Sequence, residues 1–255
     1  MPESYNGPLV YEISSENKVT ITDCPTDQSG ALVIPDTING NSVTTIGVRA
    51  FSRCIFLTSV TFDPNSKVTS IGNNAFESCT SLTTITIPNS VTSIGEYAFF
   101  GVIVLPSITI PDSVITIGIR AFSYCESLTS VTLPTNDLFT SIGNNAFEGC
   151  SGLTTITIPN SVLSIGKICF ENCTSLISIT IPNSVKTIGV RAFWNCSGLT
   201  SITLPTNVLF TRIGEGAFYG CTGLTSVTIP NSVLTIDVNA FYGCTGLISV
   251  TIGNS

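Results

Sequence analysis

Between residues 71 and 88 the chain reads IGNNAFESCTSLTTITIP, and its apolar positions alternate in a way that predicts a short strand. Leu82, Ile85 and Ile87 are apolar, and Thr84 and Thr86 lie before and between the last two, the pattern of a half-buried strand. Pro88 follows the strand, and Asn89-Ser90 adds turn chemistry. Val91 and Ile94 supply the next inward side chains. Gly95 predicts a bend or a positive φ, and Ala98-Phe99 a helical or 3₁₀ segment.

The same pattern recurs to the end of the chain. Aligned on its Ile-Gly pair, the unit starts at Ile46, Ile71, Ile94, Ile117, Ile142, Ile165, Ile188, Ile213 and Ile236, with Asp237 in place of the last Gly. Successive starts lie 23 or 25 residues apart, and every third unit completes a longer period of 71 residues. A fixed period of this size marks a solenoid, in which each unit buries its apolar side against its neighbours. The 255 residues therefore predict one elongated domain.

The consensus I-G-x-x-A-F-x-x-C-x-x-L-x-x-[VI]-T-[IL]-P-x-S-V resembles the BspA-like class of leucine-rich repeat over about Leu32 to Ile252. The resemblance implies an α/β repeat solenoid: a right-handed superhelix with a parallel β-sheet on the concave side and short helical or irregular convex segments. It also implies a cell-surface or secreted protein acting in adhesion or recognition of host and matrix proteins. Membership names no ligand, because repeat folds carry function on their exposed faces.

Residues 1–31 are expected to form a β-hairpin cap, from two alternating runs in Leu9 to Cys24 around Ser14-Ser15-Glu16-Asn17. Residues 32–255 form the array, with Leu32 to Gly47 as an incomplete first coil. The chain stops at Thr251-Ile252-Gly253-Asn254-Ser255 with no capping sequence. An uncapped end reads either as a truncation or as an end covered by a second copy, and the latter allows end-to-end association. MPESYNGPLVYEI lacks the basic start and apolar core of a signal peptide, and no run is long enough for a transmembrane helix. A cytoplasmic location stays open beside the surface location.

Eight of ten cysteines, Cys54, Cys79, Cys125, Cys150, Cys173, Cys196, Cys221 and Cys244, stand three residues after the unit's Phe. Val102 fills the ninth such place, so the position reads as a small buried hydrophobe with a free thiol. Disulfides between stacked units or through Cys24 are the alternative. Cys169 replaces the unit's Ala beside Phe170. The chain has no His and no CxxC pair, so zinc is not expected, nor any other metal or cofactor. Without His a Ser-His or Cys-His pair is excluded, and no glycine is set in a phosphate-binding motif, so no enzyme is expected.

The outward strand positions carry the candidate chemistry. The residue between the two inward strand positions is Thr in all nine units: Thr61, Thr86, Thr109, Thr132, Thr157, Thr180, Thr203, Thr228 and Thr251. Two residues earlier stands Ser or Thr, as at Ser130 and Thr155. Stacked in register, these form two files of hydroxyls. One reading is structural, since Thr suits a solvated strand and duplication copies it. The functional reading is an uncharged face for a protein or glycan, built on Thr86, Thr109, Thr132, Thr155, Thr157, Thr180, Thr203 and Thr228. A self-assembling array without a soluble ligand is the alternative, and ice or lattice binding through the Thr-x-Thr ladder a second.

Three departures from the repeat are further candidates. Ile103 and Val104 stand where other units carry Thr-Ser or Thr-Gly, an apolar contact patch. The 25-residue units insert two residues after the strand, near Asp63 to Lys67, Pro134 to Leu138 and Pro205 to Leu209, and predict bulges on one rim. The residue after each unit's Phe is often aromatic, as at Phe100, Tyr124, Trp194, Tyr219 and Tyr242, and is expected to lie half-buried on the convex side. Only 10% of residues are charged and the net charge is −7, which disfavours nucleic acid as a partner.

Overall fold

The computed structural model describes residues 7–253 and shows a parallel-strand solenoid of about ten turns. Each turn has three sides. Two are strand ladders and the third is a stack of turns.

The first strands form a hairpin. Strand β1 (Val10–Ile13) pairs antiparallel with β2 (Lys18–Asp23) through a turn closed by Ser14 N–H to Lys18 O, 2.9 Å. Leu9, Val19 and Ile21 point inward and are buried. The outer side is less polar than a cap normally requires, because Val10 and Ile13 are exposed on it. A second hairpin, unanticipated from the pattern, joins β4 (Thr37–Ile38) to β5 (Asn41–Ile46). Asn39 and Gly40 have φ of 51° and 78°, the paired positive values of a type I′ turn, for which Asn-Gly is the preferred sequence.

The long-strand ladder contains β3 (Gly30–Ile34), β6 (Leu57–Phe62) and then one strand per unit from Thr84–Ile85 to Ser249–Ile252. Its strands stack in identical register, as in Ser107 beside Ser130, Ile108 beside Val131 and Thr109 beside Thr132. The second ladder runs through β2, β5 and the residues just before each Ile-Gly, from Ser70–Ile71 to Thr235–Ile236. Inward residues of both ladders, such as Ile108, Val131, Ile142 and Ile165, are buried.

The third side departs from the sequence expectation. No helix occurs among the described residues, so the short helical convex segments are not formed. Around Ala-Phe the backbone makes consecutive tight turns, for example Ser52 N–H to Arg49 O and Cys54 N–H to Phe51 O. Left-handed residues recur three and seven positions after the unit's Ile, as at Asn74 (φ 58°), Ser78 (φ 56°), Gly216 (φ 57°) and Gly220 (φ 69°). This alternation turns every second N–H along the solenoid axis. Phe76 N–H then bonds Ala98 O at 2.7 Å and Ser78 N–H bonds Phe100 O at 2.7 Å, in the next coil. A helix would close those groups within the segment; here they join neighbouring coils.

The Ile-Gly glycine is also explained differently from the sequence reading. None of these glycines has positive φ. All but Gly214 are required by close approach: a Cβ on Gly166 would lie 2.6 Å from Gly143 C and Asn144 N. Glycine here lets two backbones touch.

Inside, the unit's Phe forms a continuous column. Phe51, Phe76, Phe99, Phe122, Phe147, Phe170, Phe193, Phe218 and Phe241 stack with centroids 4.9 to 5.6 Å apart and nearly parallel planes. Fully burying such a side chain stabilises by about 1.5–3 kcal/mol. The ten cysteines are free, and all but Cys244 are fully buried. In seven units the thiol donates to the Phe carbonyl of the preceding coil, as in Cys79 Sγ to Phe51 O at 3.0 Å and Cys173 Sγ to Phe147 O at 3.2 Å. The position is therefore a small hydrophobe with a weak donor, a distinction invisible in the spacing.

Candidate functional site

On the long-strand ladder the candidate threonines Thr86, Thr109, Thr132, Thr155, Thr157, Thr180, Thr203 and Thr228 are all exposed. Their backbones are held by the ladder and by the inward Ile or Val between them. None of their hydroxyls has a hydrogen-bond partner among the described residues. Ser107, Ser130, Ser178, Ser201 and Ser226 share the same face and are likewise exposed and unbonded. The face is open, with shallow depressions between strands. One of about 410 Å³ lies among Thr84, Thr86, Asn89, Ser107 and Thr109, and one of about 390 Å³ among Thr155, Thr157, Asn160, Ser178 and Thr180.

One residue before these files runs a third row of hydroxyls with a different fate. Thr83 Oγ1 donates to Thr58 O at 3.0 Å, Thr129 to Pro106 O at 2.9 Å, Thr154 to Thr129 O at 3.2 Å, Thr200 to Ile177 O at 3.1 Å and Thr225 to Thr200 O at 3.3 Å. These hydroxyls hold coil to coil. The row is less regular than the outward file, with Pro106, Ile177 and Ile248 in place of Thr.

Ile103 and Val104 are 37% and 36% exposed, and the same place two coils earlier carries Ile55 and Phe56, 42% and 55% exposed. The sequence reading missed the earlier pair, although position relative to Cys54 reveals it. The inserted rim is ordered by asparagine. Asn136 Nδ2 donates to Asp112 O and Val114 O, both 2.8 Å, while its Oδ1 accepts from Leu138 N–H and Phe139 N–H. Asn207 repeats the arrangement with Val185 O, Leu209 N–H and Phe210 N–H. The convex aromatics pack on one another, Trp194 on Tyr219 at 3.7 Å and Tyr219 on Tyr242 at 5.1 Å, with Arg191 over the Trp194 ring at 4.4 Å.

Burial pushes the thiols up: Cys79, Cys125 and Cys221 to about 12, each with desolvation as the main cause. A thiol kept protonated is a poor nucleophile and a poor metal ligand. No helix among the described residues is long and apolar enough to cross a membrane.

A search of curated proteins gives no match. Among solved structures, the chain is similar to a leucine-rich cell surface protein of Faecalibacterium prausnitzii, at 26% identity over 100% of this chain and 96% of that one, with a TM-score of 0.46. A leucine-rich repeat protein of Bacteroides ovatus is 28% identical over 96% and 81% of the two chains, TM-score 0.46. The pneumococcal vaccine antigen PcpA shares the fold at 19% identity, over 99% of this chain and 81% of that one, TM-score 0.53. The family model for a BspA type leucine-rich repeat region, six copies long, matches residues 34–150, 100–212 and 140–255. With nearly all of the array matched, the chain belongs to the BspA-type leucine-rich repeat family.

Proposed function

We propose that the chain is a non-enzymatic binding or adhesion module that recognises a protein or a glycan through the Ser/Thr-lined face of the long-strand ladder. The observation that carries this reading is the two files of exposed hydroxyls left unbonded, beside a third file whose hydroxyls are used between coils. An uncharged surface of regularly spaced hydroxyls suits recognition by hydrogen bonding to sugar hydroxyls or peptide groups. A location at the cell surface or outside the cell agrees with the family, whose members act there by resemblance.

The test compares the chain with a variant carrying Thr132→Gln, Thr157→Gln and Thr180→Gln on a panel of matrix proteins and glycans. These side chains point outward and the change is neutral, so the fold and the charge distribution are kept. Saturable binding by the chain that the variant loses is the expected result. Equal binding by both would move recognition to the inserted rim or the Ile103 and Val104 patch.

A second reading, end-to-end association of an array without a soluble ligand, is favoured by the last coil. Ile236 is 49%, Val250 52% and Ile252 70% exposed, whereas their counterparts one coil earlier, Ile213, Val227 and Ile229, are buried. It requires a mass that rises with concentration in light scattering; a constant monomer mass removes it.

A further inference from the structure

The second ladder opens at two places. In most units the N–H after the ladder Ile bonds the preceding coil, as in Gly189 N–H to Ile165 O at 2.9 Å and Asp237 N–H to Ile213 O at 3.0 Å. No such bond joins Gly143 to Ile117 or Gly214 to Ile188, and strand pairing is interrupted at the same two steps. Both are 25-residue steps, and both carry Phe, Phe139 or Phe210, where the other units carry Val. The remaining 25-residue step keeps Val68, and there Thr45 and Ile46 still pair with Ser70 and Ile71. Length alone therefore does not open the ladder. What the two open steps share is a buried ring in place of Val.

At the second opening three basic residues converge on a groove of about 390 Å³. Lys167, Lys186 and Arg212 line it with Thr187, Gly189 and Gly214, and Leu209 of the inserted rim forms an apolar wall. Lys186 and Arg212 each stand alone as the basic residue in files otherwise of Thr, Ser, Ile or Leu. In an array copied from one unit, such departures gathered at one opening are the informative positions. Arg212 is pinned by Asp237, Nη2 to Oδ2 at 2.6 Å, and Asp237 itself replaces the unit's Gly. Lys167 and Lys186 have no ion-pair partner among the described residues. The groove is thus cationic on a chain whose net charge is −7. The first opening has no basic side chain at the corresponding places, where Ile115, Glu96 and Ser141 stand.

We propose that this opening is a second binding site, distinct from the hydroxyl face, that takes the sulfate or carboxylate group of an acidic glycan. The anion meets the Lys167 and Lys186 ammonium groups, the free N–H groups of the pinned Arg212 guanidinium and the unbonded Gly214 N–H. Thr187 and Thr211 offer hydroxyls to the sugar, and Leu209 an apolar contact for its C–H face. A peptide strand cannot insert here by backbone pairing, because a Cβ on Gly214 would lie only 3.4 Å from Ile188 O, too close for a strand between the two coils.

The test is titration calorimetry with heparin as the sulfated probe, polygalacturonate as the carboxylated one, and neutral dextran and poly-glutamate as comparisons. Binding of either acidic glycan, absent for dextran and weakening as salt rises, is expected, and the probe that binds identifies the anion. The variant Lys167→Gln with Lys186→Gln should lose about tenfold in affinity or more, since two exposed charge contacts are removed. The variant Lys18→Gln with Lys67→Gln makes the same charge change elsewhere and should lose less than about twofold by the same reasoning. Phe210→Val changes no charge, and by letting the coils close it should also weaken binding. Equal losses in the two lysine variants, binding of poly-glutamate as tight as the glycans, or no binding to either acidic glycan overturns the proposal. The Thr132, Thr157 and Thr180 variant keeps the groove, so failure of the hydroxyl-face reading leaves this result separate.

Discussion

Thr154 and Thr157 flank one short strand, Thr155–Ile156, are both exposed, and both recur along the array. Thr154 donates its hydroxyl to Thr129 O at 3.2 Å and helps hold one coil to the next. Thr157 makes no such bond and faces solvent with its group free. The difference teaches that repetition is no guide to purpose in a solenoid. A position recurs because stacking uses it or because duplication carried it along, and the direction of its hydroxyl separates the two cases.

The sharpest contrast is with the column that every coil shares. Phe170→Ala removes one ring from the middle of that stack, where the rings of Phe147 and Phe193 lie 5.6 and 5.3 Å away. A loss of about 3–5 kcal/mol is expected, read as a fall in the denaturant midpoint. Because neighbouring coils exchange stability only with each other, hydrogen exchange should rise most in the coils on either side. A uniform loss across the whole array would break this picture.

Alkaline pH separates the closed interior from the open face next. The ordinary thiol value is 9.0, and burial raises Cys79, Cys125 and Cys221 to about 12, so the folded state prefers the protonated form. Their contribution is fully present below pH 9 and is lost as pH climbs from 9 toward 12, where the unfolded chain releases protons that the folded chain retains. Stability should therefore fall across that window. Replacing Cys125 and Cys221 by Val, the residue already present at position 102, should flatten the fall. An unchanged slope would assign the loss to other groups.

The smallest effect belongs to the threonines themselves. Thr154→Val should cost about 0.5–1.5 kcal/mol by removing an inter-coil hydrogen bond, while Thr157→Val should leave stability within about 0.5 kcal/mol. Ligand binding should respond in the opposite order. Equal stability losses would erase the distinction between the two files.

Much of the fold was legible in the residues. The period, the strand alternation, the inward Leu, Ile and Val, the hairpin around Ser14 to Asn17 and the free buried cysteines follow from spacing and side-chain character. The convex segment was misread because Ala-Phe in a short apolar stretch has the same pattern in a helical turn and in a chain of tight turns. What separates them is the left-handed backbone at residues such as Ser78 and Asn172, and Asn and Gly at many of those places are the signal that was available. The candidate threonines were found on one face as expected, while the bonded row beside them, interrupted by Pro106, Ile177 and Ile248, was not singled out.

The sequence by itself determined that this chain is a stack of like coils, because a repeated apolar pattern has no other way to bury itself than against its own copies. The tertiary structure alone decided which polar groups the stack uses up and which it leaves. Hydroxyl direction, the close contact at Gly166 and the opening between Ile188 and Gly214 arise from how one coil sits on the next. That fit depends on side-chain volumes such as Phe210 against Val68, summed across coils more than twenty residues apart.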